Sequence, residues 1–267
     1  MKRHIVCLDG TWNDDRAGVN PTNVAKLHRV IAASDAGGTV QISTYVSGIA
    51  STEGERLSFL KGAVGYGVGS NIRKAYAMLA QAYAAGDEIY LFGFSRGAFE
   101  ARSLASLIDL VGLPKPSGLS DADAWDVYAC SERKRDPQRL SALRAAAHYP
   151  VRIRCLGVWD TVGNIGNPFL SSTPLSRRAS FHDLRLHDTV DVALHALSID
   201  EQRGTFRPTL WTRPADQTPP AGQVVEQAWF SGTHADVGGG WRETGLSDIA
   251  LIWMARRASE ATGLAVA

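Results

Sequence analysis

Four short apolar runs, rich in branched and aromatic residues, predict buried β-strands. They cover residues 5–8, 89–92, 153–159 and 224–230. Weaker strand candidates cover residues 40–46, 190–199 and 209–212. Because near-continuous apolarity is typical of strands covered on both faces, these runs indicate a mostly parallel sheet.

Three segments between the strands have apolar residues at helical spacing and end near a glycine. They cover residues 71–85, 98–110 and 246–262; in the last, Ile249, Ile252 and Trp253 share one side of the helix. Strands that alternate with helices predict a doubly wound α/β fold with helices on both faces of the sheet.

Three segments have a loop-like composition and are expected to be insertions on this sheet. Residues 113–150 combine Pro, Ser and charge with a polar helix-like stretch, and residues 161–184 and 213–222 look like loops. We therefore expect one domain over residues 1–267, in which residues 113–150 form a small cap.

Composition and charge exclude several classes of partner. Lys and Arg number 28 against 27 for Asp and Glu, so no basic field indicates nucleic acid as a partner. No signal peptide or membrane span is recognisable in the 267 residues, which favours a cytoplasmic protein. Cys7, Cys130 and Cys155 lack metal-ligand spacing, so we expect reduced thiols, no metal and no cofactor. The oligomeric state is left open.

Polar clusters follow the four predicted buried strands. They cover residues 9–13, 93–97, 160–163 and 232–236. Because ligands of an open parallel sheet bind beyond the carboxyl ends of its strands, these clusters predict one functional site.

The segment Gly93-Phe-Ser-Arg-Gly97 matches the G-x-S-x-G nucleophile elbow, with a strand before it and a helix after it. This context predicts Ser95 as a nucleophile, and the alternative is an ordinary helix N-cap serine. A serine needs a base to take its proton. Among seven histidines, only His234 lies in a Gly-rich loop just past a buried strand.

An acidic side chain must orient the imidazole of such a base. Asp160 is favoured because it ends a strand and precedes a loop, while Asp200 and Asp236 are the alternatives. With Asp160, the chain order is Ser, Asp, His, as in α/β-hydrolases. Of the other histidines, we expect His182 and His187 to be solvated and His195 to be structural.

Backbone amides are expected to stabilise the oxyanion, one from Arg96 and a second from Gly10 or Thr11. Candidate apolar walls of the substrate pocket are Trp12, Phe94 and Trp159, and core packing is the alternative for Trp159. Two other interpretations are disfavoured: the loop at 9–15 lacks EF-hand spacing, and no strand leads into the Gly-rich segment 62–69.

Taken together, these residues resemble the α/β-hydrolase family known as DUF2235, which includes phospholipase effectors of type VI secretion. The matching segments span almost the whole chain: Leu8-Asp-Gly-Thr-Trp-Asn13, Asn71-Ile-Arg-Lys-Ala-Tyr76, Gly86-Asp-Glu-Ile-Tyr-Leu-Phe-Gly-Phe-Ser-Arg-Gly-Ala98, Val158-Trp-Asp-Thr-Val162, His195-Ala-Leu-Ser-Ile-Asp-Glu201 and Gly232-Thr-His-Ala-Asp-Val-Gly-Gly239. The resemblance implies a triad at Ser95, Asp160 and His234 that hydrolyses carboxylic esters, including phospholipid acyl esters.

The chain ends soon after the His234 loop and one further helix, so we expect it to lack the membrane-engaging regions of the large secreted effectors. The expected partner is a small-molecule or lipid ester, with at most transient membrane contact. The alternative function is an inactive hydrolase-like domain that binds a small ligand or a protein.

Overall fold

A computed structural model describes residues 1–10, 20–48, 66–116, 120–162, 184–213 and 216–267 of the chain. Its strands are β1 (Arg3–Leu8), β2 (Gln41–Val46), β3 (Glu88–Phe94), β4 (Leu113–Pro114), β5 (Ala147–His148), β6 (Ile153–Trp159), β7 (Val190–Ser198) and β8 (Val224–Phe230). Six of them form a sheet in the order β2-β1-β3-β6-β7-β8. Every neighbouring pair in this sheet is parallel, while β4 and β5 form a separate antiparallel pair. The predicted α/β fold is confirmed.

The helices are α1 (Asn23–Val30), α2 (Tyr66–Ala82), α3 (Arg96–Val111), α4 (Asp121–Ala129), α5 (Pro137–Ala145), α6 (His234–Gly238) and α7 (Gly245–Thr262). Alternate residues of each strand point to opposite faces of the sheet. Val6 and Leu91 pack with residues of α2 and α3, while Ile5 and Phe92 pack with residues of α1 and α7. Helices therefore cover both faces, and two apolar cores hold the sheet between them.

Helix α7 packs on the sheet through small residues and one methionine. Its buried residues include Ala250, Met254 and Ala258, whereas Ile249 and Ile252 are 57% and 64% exposed. A Cβ atom at Gly157 would lie 2.8 Å from the Met254 sulfur, so the bare glycine backbone permits this close approach. The side that carries Ile249 and Ile252 therefore faces away from the sheet.

Two predicted elements differ from the structure. Residues 209–212 form no strand, because the Gln227 side chain takes the place of a partner strand: its Oε1 accepts from Trp211 N at 2.8 Å and its Nε2 donates to Trp211 O at 3.0 Å. Residues 66–69 of the Gly-rich segment begin α2, and residues 62–65 lie outside the described residues.

Residues 113–150 hold α4, α5, the β4–β5 pair and a 3-10 turn at Glu132–Lys134. Val127, Tyr128 and Leu143 belong to the same apolar core as α2 and α3. The one-domain interpretation stays a prediction. Across the described ranges, no helix is long and apolar enough to cross a bilayer.

Candidate active site

Ser95 lies in a tight turn between β3 and α3, with φ 58° and ψ −118°. Glycine on both sides makes this turn possible. If Gly93 carried a Cβ atom, that atom would lie 2.3 Å from the Gly97 carbonyl oxygen. A Cβ atom on Gly97 would lie 2.1 Å from the Leu8 carbonyl oxygen. The Ser95 amide donates to the Trp159 carbonyl at 3.0 Å, which ties the turn to the end of β6.

Backbone strain in the described residues is concentrated at two predicted site residues. Apart from glycine, positive φ occurs there at Ser95 and at Asp160, where φ is 43°. Such conformations persist where the surrounding structure enforces them, and they cluster at functional sites. Ser95 makes no side-chain capping hydrogen bond to α3 in the described part of the chain, so the N-cap alternative is not supported.

The imidazole of His234 and the carboxylate of Asp160 form a buried pair. His234 Nδ1 lies 2.6 Å from Asp160 Oδ2. Ser198 donates to the same carboxylate twice, from its amide to Oδ1 at 2.9 Å and from its hydroxyl to Oδ2 at 2.8 Å. Because the carboxylate accepts all these bonds, the network assigns the proton to Nδ1 and leaves Nε2 able to accept one.

The alternative acids, Asp200 and Asp236, bond to backbone near His234 instead of its ring. Asp200 Oδ2 accepts from Gly232 N at 2.7 Å, and Asp236 Oδ2 accepts from Thr233 N at 2.8 Å. The structure therefore places Asp160 against the imidazole, and the other two fasten the chain that carries it.

His234 is the first residue of α6, so the loop predicted around it contains a short helix. Two phenylalanines hold its ring: the Phe94 ring centroid lies 4.7 Å away and the Phe206 centroid 4.9 Å away. Phe94 directly precedes Ser95, which places the turn beside the imidazole. Within the described residues no hydrogen bond joins the Ser95 hydroxyl to His234, a contact that often forms only with substrate bound.

Sequence reasoning assigned no role to Glu201, whose Oε2 accepts from His234 N at 3.2 Å. Its other bonds come from Arg203, whose amide and Nε each donate at 2.8 Å and whose Nη2 donates at 2.6 Å. These bonds lower the pKa of Glu201 to about 2, so the side chain is ionised at neutral pH. Glu201 is the last residue of the segment 195–201, which resembles the family, but nothing in that segment indicated that it contacts His234.

The oxyanion donors are placed in part. Arg96 is the first residue of α3 and directly follows Ser95, as an oxyanion amide requires. The Gly10 amide donates to Asp9 Oδ1 at 2.6 Å, so it is engaged within its own turn, and its role as an oxyanion donor stays a prediction. Thr11 lies outside the described residues and stays a prediction.

Asp9 was not predicted as more than part of a polar turn, yet it is buried beside the Ser95 turn. Its Oδ2 accepts from Thr22 Oγ1 at 2.6 Å and from Tyr45 OH at 2.5 Å. The carboxylate thereby anchors the start of the chain that follows β1.

Of the predicted pocket walls, Trp159 belongs to the core. It is fully buried and its indole nitrogen is 3.4 Å from the Ala250 carbonyl oxygen, so the pocket-wall prediction is wrong and the core-packing alternative holds. Phe94 is 3% exposed and supports the imidazole. Trp12 lies outside the described residues.

Glu100 is a buried carboxyl group one turn along α3 from Ser95. Burial raises its pKa well above the ordinary value, and neither the hydrogen bond from Asn71 nor the charge of Arg96 cancels this effect. Burial also lowers the pKa of Arg96 to about 10. Glu100 therefore tends to keep its proton at pH values where exposed glutamates are ionised.

His195 is excluded as the base. It is fully buried, and burial lowers its pKa to about 3. The Thr161 amide donates to its Nε2 at 3.3 Å, which assigns that nitrogen as an acceptor in a neutral ring. The predicted structural role fits this placement.

A second Ser-His-Asp row lies beside a separate cavity of about 630 Å³. Ser106 Oγ is 2.8 Å from His187 Nε2, and His187 Nδ1 is 3.1 Å from Asp109 Oδ2. His187, expected to be solvated, is thus paired on both ring nitrogens and its side chain is 17% exposed. Ser106 lies inside α3, roughly 16 Å along the helix from Ser95, and its hydroxyl donates to the Arg102 carbonyl. A serine in regular helix, with neighbouring amides used by the helix, lacks an oxyanion site.

Cysteines and metal ligands add no further chemistry in the described ranges. Cys7, Cys130 and Cys155 are free thiols, and no cluster of His, Cys, Asp and Glu has the arrangement to hold a metal ion there. The parallel sheet, the strained serine turn and the buried Asp-His pair define a protein of the α/β-hydrolase fold class.

Comparison with known proteins identifies the family. Residues 2–257 match the model of the catalytic domain of Tle1-like phospholipase effectors of the type VI secretion system (T6SS). The chain belongs to this family, as the resemblance in sequence indicated.

One relative and two solved structures are similar to the chain. The chain is 30% identical over 236 residues to the uncharacterized protein YEL023C of Saccharomyces cerevisiae, covering 79% of the chain and 33% of the relative. An uncharacterized protein from Pseudomonas aeruginosa shares the fold with a TM-score of 0.57 and 22% identity, over 99% of this chain and 46% of that one. A Tle1 effector, in a structure bound to the VgrG spike of the type 6 secretion system, has a TM-score of 0.53 and 19% identity, over 92% of this chain and 52% of that one. The chain thus spans a third to a half of these proteins.

Proposed function

We propose that the protein is a serine hydrolase that cleaves carboxylic esters, with phospholipid acyl esters as its substrate class. The observation that carries this proposal is the buried 2.6 Å contact between His234 Nδ1 and Asp160 Oδ2, beside the strained turn that presents Ser95. Membership of the phospholipase effector family supports lipid esters as substrates.

In this mechanism, Ser95 Oγ attacks the acyl carbon while His234 Nε2 takes the hydroxyl proton. The Arg96 amide stabilises the resulting oxyanion. The ester C–O bond then breaks, and His234 returns the proton to the leaving alcohol. Water repeats the sequence on the acyl-enzyme and releases the carboxylic acid. Asp160 stays ionised and stabilises the protonated imidazole throughout.

The test compares wild type with Ser95→Ala on p-nitrophenyl butyrate and on phosphatidylcholine vesicles. We expect kcat to fall by about 10⁴-fold or more for both substrates, while Ser131→Ala, a change at an exposed serine, has no effect. A fluorophosphonate probe should label wild type at Ser95. Full activity in Ser95→Ala would refute the proposal, and absence of both labelling and turnover would favour the inactive binding domain.

A further inference from the structure

We propose that residues 200–206 act as a clasp that positions His234, with Glu201, Arg203 and Phe206 as positioning residues for the base. This inference rests on the proposed function, because it assigns the means by which the imidazole is held for proton transfer. The clasp follows β7 directly and reaches across to the chain that follows β8.

The first part of the clasp is backbone recognition by two successive carboxylates. Asp200 Oδ2 accepts from Gly232 N at 2.7 Å, and Asp200 N donates to the Gly232 carbonyl at 3.1 Å. Glu201 Oε2 accepts from His234 N at 3.2 Å. That amide belongs to the first residue of α6, and the first N–H groups of a helix have no acceptor within the helix.

The second part is the lock on Glu201. Arg203 donates from its amide and its guanidinium to Glu201 Oε1, each at 2.8 Å, and from Nη2 to Oε2 at 2.6 Å. The Glu201 side chain is 2% exposed while that of Arg203 is 58% exposed. A buried carboxylate is therefore held by an arginine at the surface.

The third part of the clasp contacts the imidazole itself, through Phe206. The Arg203 guanidinium lies over the Phe206 ring, 4.0 Å from its centroid. Phe206 in turn meets the His234 ring edge-on at 4.9 Å, in addition to the contact of that ring with Phe94 at 4.7 Å. Arg203 thus acts on His234 through both its backbone, by way of Glu201, and its ring, by way of Phe206.

The physical consequence concerns orientation of the base. The Asp160 hydrogen bond defines one end of the imidazole, but rotation about that bond would still carry Nε2 away from Ser95. Contacts to the His234 amide and ring face restrict this rotation. Misplacing a reacting group by about 1 Å can cost about a hundredfold in rate. We expect loss of the clasp to lower kcat and leave KM unchanged.

The experiment uses Arg203→Gln, Arg203→Lys and Glu201→Gln in the full chain, with Arg256→Gln as a matched control at another exposed Arg–Glu pair, Arg256 with Glu260. We expect kcat on p-nitrophenyl butyrate to fall about 10- to 100-fold in Arg203→Gln and Glu201→Gln, with KM within about twofold of wild type. Arg203→Lys should restore part of the loss, and the control should equal wild type.

Fluorophosphonate labelling of Ser95 separates the two proposals. If wild type is labelled and the clasp variants are folded and labelled at the wild-type rate, the clasp inference fails while the proposed function stands. If wild type is not labelled, the proposed function fails first. A fall in labelling rate that parallels kcat, in variants whose urea unfolding midpoint matches that of the control, supports the clasp. An equal loss in Arg256→Gln would overturn it.

Discussion

Substitution of Asp160 by asparagine tests the Asp–His pair, because the change alters hydrogen bonding without altering shape. Asparagine tolerates positive φ, so the backbone at 43° is retained. The side chain must then replace a carboxylate that accepts from Ser198 N, Ser198 Oγ and His234 Nδ1. One of its two oxygens becomes an NH₂ group, which can only donate.

Either orientation of the new amide is unfavourable. With NH₂ toward His234, the amide donates to Nδ1 and the ring proton moves to Nε2, which can no longer accept from Ser95. With NH₂ toward Ser198 N, two buried donors meet at a cost of about 1–3 kcal/mol. The second orientation is the productive one, because it leaves Nε2 able to accept from Ser95. Since about 1.4 kcal/mol corresponds to a tenfold change in population, this cost makes the productive orientation a minority. It also lacks the charge that stabilises the imidazolium. The expected fall in kcat is about 10⁴-fold, as known for this change in serine protease triads.

The assay is kcat on p-nitrophenyl butyrate, with urea unfolding to show that each variant is folded. The matched control is Asp136→Asn, because Asp136 Oδ1 accepts from Gln138 N at 2.9 Å and does not contact the imidazole. We expect this control to lose less than about tenfold. A folded Asp160→Asn variant within tenfold of wild type, or a control that loses as much activity as Asp160→Asn, would refute the assignment of the acid.

Two further predictions concern residues of α3 next to the Ser95 turn. Glu100→Gln should gain stability relative to wild type as pH rises from 5 to 8. Because the pKa of Glu100 is raised in the folded state, the folded protein holds a proton that the unfolded chain releases above about pH 4.3. The free energy of unfolding of the wild type therefore falls as pH rises, and that of the variant does not. Urea unfolding at both pH values measures this, and an equal difference at both would contradict it. Gly97→Ala should lower the free energy of unfolding by about 3 kcal/mol and reduce esterase activity, because the new Cβ meets the Leu8 carbonyl oxygen at 2.1 Å. Thermal unfolding checks this, and an unchanged midpoint would show that the elbow can widen.

The sheet could be read from the sequence because β1, β3, β6 and β7 are buried apolar runs. The prediction that residues 224–230 form a buried strand is wrong in its burial, since β8 is an edge strand whose Val225 and Trp229 are 41% and 52% exposed. The strands β6 and β8 have the predicted bounds, and the predicted helices each lie within a few residues of α2, α3 and α7. Helix α1 was missed: it has eight residues, and its start is marked by Thr22, whose side chain caps Ala25 N. A single capping residue before a short helix is a weak signal on its own.

The candidate site was predictable to the extent that strand ends converge. The turn at Ser95 was visible as a local motif, and Asp160 and His234 were visible as polar residues after predicted strands. Local pattern does not show which backbone amide is already engaged, so the bond from Gly10 N to Asp9 was missed. The partner of Glu201 was missed for a related reason, since it lies across the gap between two strand ends.

The positive φ of Ser95 has a consequence for how activity is lost in evolution. Glycine adopts this conformation without steric cost, so Ser95→Gly would relax the turn while abolishing chemistry. A descendant of the proposed hydrolase that no longer needs a nucleophile would gain stability by that one exchange. Glycine at this position in a related chain would therefore indicate that the site has lost its nucleophile. A serine kept there, despite the backbone strain, would indicate selection for reactivity.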